Sequence, residues 1–297
     1  MSMHIDGKKV AAMHWGGRKI REAWHEGQRV FSGKPVEVMP PTVGSYDAMD
    51  WLRATLTEYG ESHETVKELP FEIDSSQVTN MTNMFQNCYA LTSVPAMDTR
   101  NVTYMGGMFR GCSSLTSVPD MDTSKVTNMS SMFSGCSSLT VVPEMDTSNV
   151  TNMGYMFATC RALTSVPDMD TSKVTFAGFM FRECPSLTTV PDMDTSQVTK
   201  MMYMFDGCSS LTTVPVMDTS QATDMRSMFR GCSSLTTVPD MDTRNVTSML
   251  DMFRGCSSLT DGNVRLIGKH PIVETVGMIQ NSGLTREPFY NSSGQPI

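Results

Sequence analysis

Eight cysteines stand in this 297-residue chain, at Cys88, Cys112, Cys136, Cys160, Cys184, Cys208, Cys232 and Cys256. Every step between them is 24 residues. An even number of thiols invites a disulfide reading, but side chains in one repeated column point the same way, whereas a disulfide needs them facing. Zinc needs about four clustered ligands, often with histidine. The five histidines, His4, His14, His25, His63 and His270, all lie outside the periodic stretch. The reading that remains is a column of small buried hydrophobes with free thiols.

A second column is acidic: Asp98, Asp122, Asp146, Asp170, Asp194, Asp218 and Asp242. Several units add an acid two residues earlier, at Asp120, Glu144, Asp168, Asp192 and Asp240. Stacked carboxylates suit calcium. The simpler expectation is an inner Asp that accepts backbone N–H groups of its own turn, beside a solvated outer acid. Neither column makes a catalytic constellation. The repeats hold no His, no Gly-rich phosphate loop and no G-x-S-x-G nucleophile motif. No enzyme activity, cofactor or resident metal is expected.

The elements that position these columns share one period. A unit reads VTNMSSMFSGCSSLTVVPEMDTSN, Val126 to Asn149. Of the 29 Met, 22 occupy three positions of that unit. A unit of this size cannot bury its own core, so neighbours must stack into a solenoid. Apolar residues at Val126, Met129, Met132, Phe133 and Cys136 follow helical spacing, which predicts a short helix or 3₁₀ turn. Gly135 falls where a left-handed residue is wanted, as do Gly111, Gly207, Gly231 and Gly255. Thr159 and Glu183 suit that conformation poorly, so a local departure is expected in those two units. Leu139 to Pro143 reads as a short strand ended by a proline. Eight units at a parallel-strand step give a rod of roughly 40 Å.

The formal net charge of −8 argues against a nucleic-acid reader, which needs a basic face. No apolar run is long enough to span a membrane, so no membrane insertion is expected. The N-terminus, MSMHIDGKKVAAMHW, lacks the apolar core of a secretory signal, so export by that route is not expected.

The residues between the two Met columns vary most. Tyr155, Phe179 and Tyr203 fill one position in three successive units, and Tyr104, Phe176 and Met202 extend the stripe. Arg110, Arg182, Arg230 and Arg254 share the column just after Phe. Exposed aromatics flanked by Arg are what binding hot spots use. The candidate binding residues are Tyr104, Tyr155, Phe176, Phe179, Met202, Tyr203 and Arg182. The fifth unit has Ala177 where the others have Met, which leaves open that Phe176 or Phe179 folds inward to fill the gap.

Four segments follow. Residues 1–34 carry Gly7-Lys8-Lys9-Val10, Gly17-Arg18-Lys19-Ile20 and Gly27-Gln28-Arg29-Val30, ten residues apart, with Trp15, Trp24 and Phe31 between them. This reads as a three-stranded β meander that docks on something larger. Residues 35–73 read as a linker, with Pro35, Pro40 and Pro41, then a capping helix over Tyr46 to Tyr59 with Met49, Leu52 and Leu56 on one side. Residues 74–260 are the solenoid. Residues 261–297 are an irregular C-terminal cap whose apolar set is Val264, Leu266, Ile267, Ile272, Val273, Val276, Met278 and Ile279.

The unit V-T-x-M-x-x-M-F-x-x-C-x-S-L-T-x-V-P-x-M-D-T-S resembles the leucine-rich repeats of BspA-like bacterial surface proteins, in a subtype found in mycoplasma lipoproteins and phage structural proteins. The resemblance implies a leucine-rich-repeat solenoid of short parallel strands and short helical or 3₁₀ turns, serving binding or adhesion. The decapeptides G-x-K-V, G-R-K-I and G-Q-R-V-F-S-G look like the start of phage tail-associated proteins. That likeness covers about 35 residues and implies docking onto other virion proteins through Trp15, Trp24 and Phe31. The expected function is a non-enzymatic virion protein, tail-associated, that binds a host surface protein or glycan. A capsid decoration or head fibre and a bacterial surface adhesin are the alternatives. Localisation is expected in the virion, made in the host cytoplasm and released by lysis, or alternatively at the bacterial cell surface. Self-association through the N-terminal module stays open, and no coiled-coil heptads drive it.

Overall fold

The computed structural model describes residues 3–5, 8–10, 13–15, 18–20, 23–25, 28–31, 34–41, 47–291 and 293–297. The N-terminal decapeptides each form a hairpin of two strands rather than one strand. β1 (Met3–Ile5) pairs antiparallel with β2 (Lys8–Val10), β3 (Met13–Trp15) with β4 (Arg18–Ile20), and β5 (Ala23–His25) with β6 (Gln28–Phe31). The reason is in the spacing. Asp6-Gly7, Gly16-Gly17 and Glu26-Gly27 each separate two β-forming stretches by two residues, which is a hairpin length.

The stretch read as a linker holds another strand. β7 (Val36–Val38) pairs antiparallel with β4 and parallel with β8 (Glu72–Asp74), so the sheet order is β3-β4-β7-β8. The β-branched pair Val36 and Val38 outweighs the flanking prolines here. Asp74 leads directly into the first repeat, so a backbone ladder ties the N-terminal region to the rod. Between β7 and β8, α1 (Asp47–Glu58) buries Ala48, Met49, Leu52 and Leu56. Trp51 and Tyr59 lie with ring centroids 6.2 and 5.2 Å from Phe71, which is itself buried. Ala48, Leu52 and Leu56 belong to the same buried cluster as Val78, Met81 and Phe85 of the first unit.

Each unit is built from successive tight turns, not a helix. In the third unit Met132 N–H donates to Met129 O (3.1 Å), Ser134 to Ser131 (3.1 Å) and Cys136 to Phe133 (3.0 Å). Alternate N–H groups reach forward to the next unit: Met129 to Asn152 O (3.1 Å), Ser131 to Gly154 O (2.8 Å), Phe133 to Met156 O (2.9 Å) and Gly135 to Ala158 O (2.8 Å). Two left-handed residues per unit, Ser131 (φ 57°) and Gly135 (φ 80°), rule out a helix. The three-to-four-residue apolar spacing comes from the turn period. Thr159 (φ 59°) and Glu183 (φ 56°) keep the same turn as their glycine counterparts, so the expected departure does not occur. The inter-unit hydrogen bonds hold them there.

The parallel pairing also falls elsewhere than Leu139 to Pro143. One residue per unit bridges its neighbours, in the series Asn80, Tyr104, Asn128, Asn152, Phe176, Lys200, Asp224, Ser248, Glu274. The last bridge makes the C-terminal segment a ninth, irregular turn of the rod. It is tied on by β9 (Met241–Asp242), β10 (Leu266–Ile267) and β11 (Phe289–Tyr290), all parallel. Val264, Leu266 and Met278 are buried there, with Leu284 and Phe289, whereas Ile272 and Val276 point to solvent.

The core is a set of columns. Phe85 to Phe253 stack with centroids 5.5–5.8 Å apart and planes within 9°, all without solvent exposure.

Candidate binding site

The outward surface is decided by the first left-handed column. It runs Asn83, Gly107, Ser131, Tyr155, Phe179, Tyr203, Ser227, Asp251, with φ between 51° and 64°. Asn, Gly, Ser and Asp sit there easily, because short polar chains bond locally and Gly has no Cβ. Bulky rings do not, and left-handed backbone costs an ordinary residue about 1–2 kcal/mol. Three successive units nevertheless carry Tyr155, Phe179 and Tyr203 at φ 59°, 63° and 57°.

These rings form a second ladder outside the core. Tyr155 and Phe179 stack at 4.3 Å with planes 5° apart, and Phe179 and Tyr203 at 4.8 Å and 10°. Tyr155 is 38% exposed, while Phe179 and Tyr203 are half-buried. Two glycines make room beside the ladder. A Cβ on Gly154 would meet Phe176 Cε1 at 2.3 Å, and one on Gly178 would meet Met202 Sδ at 3.0 Å and Phe176 Cζ at 3.1 Å. Phe176 and Met202 therefore lie across the glycines and complete one apolar patch. Neither Phe176 nor Phe179 folds inward, and Ala177 stays buried on its own.

Charge closes one end of the patch. Asp206, 3% exposed, accepts from Arg182 Nε (3.3 Å) and from both Arg230 Nε and NH2 (2.8 Å each). A buried carboxylate requires such partners, and its hydrogen bond raises the Arg230 pKa. The two guanidinium carbons lie 6.0 Å (Arg182) and 5.6 Å (Arg230) from the Tyr203 centroid, within cation–π range.

Six of the seven residues singled out from sequence thus meet: Tyr155, Phe176, Phe179, Met202, Tyr203 and Arg182. Tyr104 does not. It is 48% exposed in the second unit, bridging Asn80 and Asn128. Trp15, Trp24 and Phe31 belong to β3, β5 and β6, and their side chains lie outside the described residues. Sequence reasoning missed Asp206 and the glycine floor. A signal for each was present: one acid in a column of Arg, Ser, Ala and Gln, and paired glycines beside successive rings.

The inner columns carry little reactivity. All eight cysteines are buried and unbridged. From Cys112 onward each thiol donates to a Phe carbonyl of the preceding unit, at 2.9–3.1 Å. Burial pushes Cys88, Cys136, Cys184 and Cys256 up to about 12 and the other four well above their ordinary value. Each inner Asp accepts its own turn's N–H, as Asp146 does from Ser148 at 3.0 Å. The Ser hydroxyls and N–H groups hold Asp122 and Asp170 below the usual carboxylate range. The outer acids are exposed. Among the described residues no three His, Cys, Asp or Glu are grouped to hold a metal ion, and no helix is long and apolar enough to cross a membrane.

A chain of tight turns bridged in parallel from unit to unit, with stacked Leu, Phe, Met and Cys columns, defines a leucine-rich-repeat solenoid. The chain belongs to the DUF285 family, described as mycoplasma protein of unknown function, which it matches in three overlapping stretches, residues 59–165, 116–213 and 186–281. The matches begin at residue 59 and leave the hairpins outside. No curated protein matches the sequence. Among solved structures, a leucine-rich cell surface protein from Faecalibacterium prausnitzii is 19% identical, with a TM-score of 0.37 over 69% of this chain and 70% of that one. A leucine-rich-repeat protein from T. pallidum is 20% identical, with 0.36 over 66% and 78%. One from Eubacterium ventriosum is 17% identical, with 0.36 over 86% and 91%.

Proposed function

We propose that this chain is a non-enzymatic recognition protein whose rod presents the ring ladder to a cell-surface protein or glycan. The observation that carries this is the backbone under the rings. Tyr155, Phe179 and Tyr203 occupy left-handed positions that cost free energy and bury no core, and strain of that kind marks functional surface. Such rings also supply large, rigid contact area at low entropy cost.

The N-terminal hairpins are read as the docking end, on other virion proteins of a phage tail, with Trp15, Trp24 and Phe31 as the contacts. The decapeptide likeness supports that carriage. A bacterial surface adhesin is the second reading, favoured by a family described from mycoplasmas, which are cells. Serine at Tyr155, Phe179 and Tyr203 together is expected to abolish cell binding with the melting curve still cooperative. Unimpaired binding overturns the proposal. Immunogold labelling of particles and producing cells decides the carrier: gold at a tail supports the virion reading, gold over the capsid means decoration, and gold only on cells means an adhesin.

A further inference from the structure

We infer that the open end of the ring ladder is a stacking slot for an acidic sugar ring, with Tyr155 as the platform and Arg110 as the carboxylate partner; this rests on the ladder being a binding face. The ladder is asymmetric. At Tyr203 the Arg230 guanidinium lies over the ring, 5.6 Å from its centroid. At Tyr155 one face meets Phe179 at 4.3 Å, and the column continues on the other side with Ser131 and then Gly107, which carry no ring. The ladder step of 4.3–4.8 Å is one ring thick. A flat ring laid on Tyr155 takes the place a side chain ring at position 131 would hold.

The slot has a polar border. A Cβ on Gly107 would meet Asn83 Oδ1 at 2.2 Å and Arg110 Cβ at 3.9 Å, so both residues edge its floor. Ser130 and Ser131 add half-exposed hydroxyls. Every other arginine from Arg100 to Arg254 pairs with a carboxylate. Arg110 is exposed and has no such partner among the described residues. In a chain of net charge −8 it is the local group that admits an anion. A pyranose offers an apolar C–H face to the tyrosine and a hydroxyl edge to Asn83 and the serines. An apolar protein side chain would leave those groups without partners, at a desolvation cost. A ring carboxylate completes the match through a charge-assisted pair with Arg110.

Calorimetric titration of the full chain with hexagalacturonate, 3′-sialyllactose and neutral maltohexaose tests this and separates uronate from sialate sources. Saturable binding of one acidic probe is expected, with maltohexaose weaker by about ten-fold. Arg110→Gln should erase that preference. Ser131→Tyr should abolish binding and keep the fold, since the next three units already carry rings in this column; melting curves verify it. No saturation by either acidic probe at millimolar concentration, or binding indifferent to Ser131→Tyr, overturns the slot. If Ser131→Tyr leaves cell binding intact while the triple serine variant loses it, the ladder stands as a binding face and the sugar slot falls. Cell binding that survives enzymatic removal of sialic and uronic acids from the cells also overturns the slot and points to a protein ligand.

Discussion

The inner ladder from Phe85 to Phe253 and the outer ladder from Tyr155 to Tyr203 share an axis and a 24-residue period but not a spacing. Inner rings sit 5.5–5.8 Å apart, fully buried in every unit. Outer rings sit 4.3–4.8 Å apart, partly exposed, in three units alone. The inner rings are enclosed by buried Met, Leu and Cys columns, whereas the outer rings keep part of their surface in solvent. The inner ladder is uniform because any change leaves a cavity. The outer one is free to vary, and where it carries rings it does so against the backbone preference. One ladder supplies stability; the other has a cost that stability does not explain.

The largest test of this contrast is chemical. With all eight thiols buried and held in the protonated form, Cys88, Cys136, Cys184 and Cys256 at about 12 and the other four well above the ordinary thiol value, alkylation at pH 8 should run roughly a thousand-fold slower than for an exposed cysteine. Mass spectrometry after iodoacetamide should find native protein unlabelled and denatured protein labelled eight times. Rapid labelling of the native chain would mean the inner columns open to water.

The next test compares two rings of one unit. Phe157→Ala removes a fully buried ring and should cost about 3–5 kcal/mol in denaturant unfolding. Tyr155→Ser removes the outer ring two residues away and should cost under about 1 kcal/mol, since only one stacking contact is lost and serine suits the position. Equal costs would erase the distinction between the ladders.

Much of this was legible in the residues. The Cys, Phe, Met and Leu columns declare burial by recurrence alone, and Tyr155, Phe179 and Tyr203 declare alignment by sharing one register. What could not be read was the backbone between them. Val126, Met129, Met132 and Phe133 repeat every three to four residues in a turn chain as they would in a helix, and apolar spacing does not separate the two. The left-handed backbone under Tyr155, Phe179 and Tyr203 could not be read either, because sequence does not show φ. The same blindness hid Asp206, whose burial depends on Arg182 and Arg230 arriving from the units on either side. The two strands in each decapeptide were hidden for a different reason: the Gly-x-x-apolar pattern marks only the second.

Phe179→Gly separates strain from stacking within the outer ladder. It relieves a left-handed phenylalanine, worth about 1–2 kcal/mol, loses two stacking contacts of about 0.5–1.5 kcal/mol each, and adds glycine's entropy, about 0.5–1 kcal/mol. The losses, about 1.5–4 kcal/mol together, outweigh the relief of about 1–2 kcal/mol, so stability should fall by roughly 1 kcal/mol, less than for Phe157→Ala, while cell binding falls. A loss as large as that of Phe157→Ala would make Phe179 a core residue in disguise.

The smallest effect isolates the strain alone. Thr159 is left-handed at φ 59° in the second such column, where five other units carry glycine at 74–80°. It is β-branched, which makes the conformation more costly than for Asn or Ser, and its ring-free side chain donates only to the Ala158 carbonyl beside it (2.7 Å). Thr159→Gly therefore removes strain without removing a ladder contact. Strain relief exceeds the added chain entropy by a few tenths to about 1 kcal/mol, which in a chain of this length raises the melting midpoint by about 2 °C. A rise of that size also gives the strain component hidden inside Phe179→Gly. A fall in the midpoint would mean that left-handed side chains rest easily in this turn, and the case for Tyr155, Phe179 and Tyr203 as strained, functional rings would lose its footing.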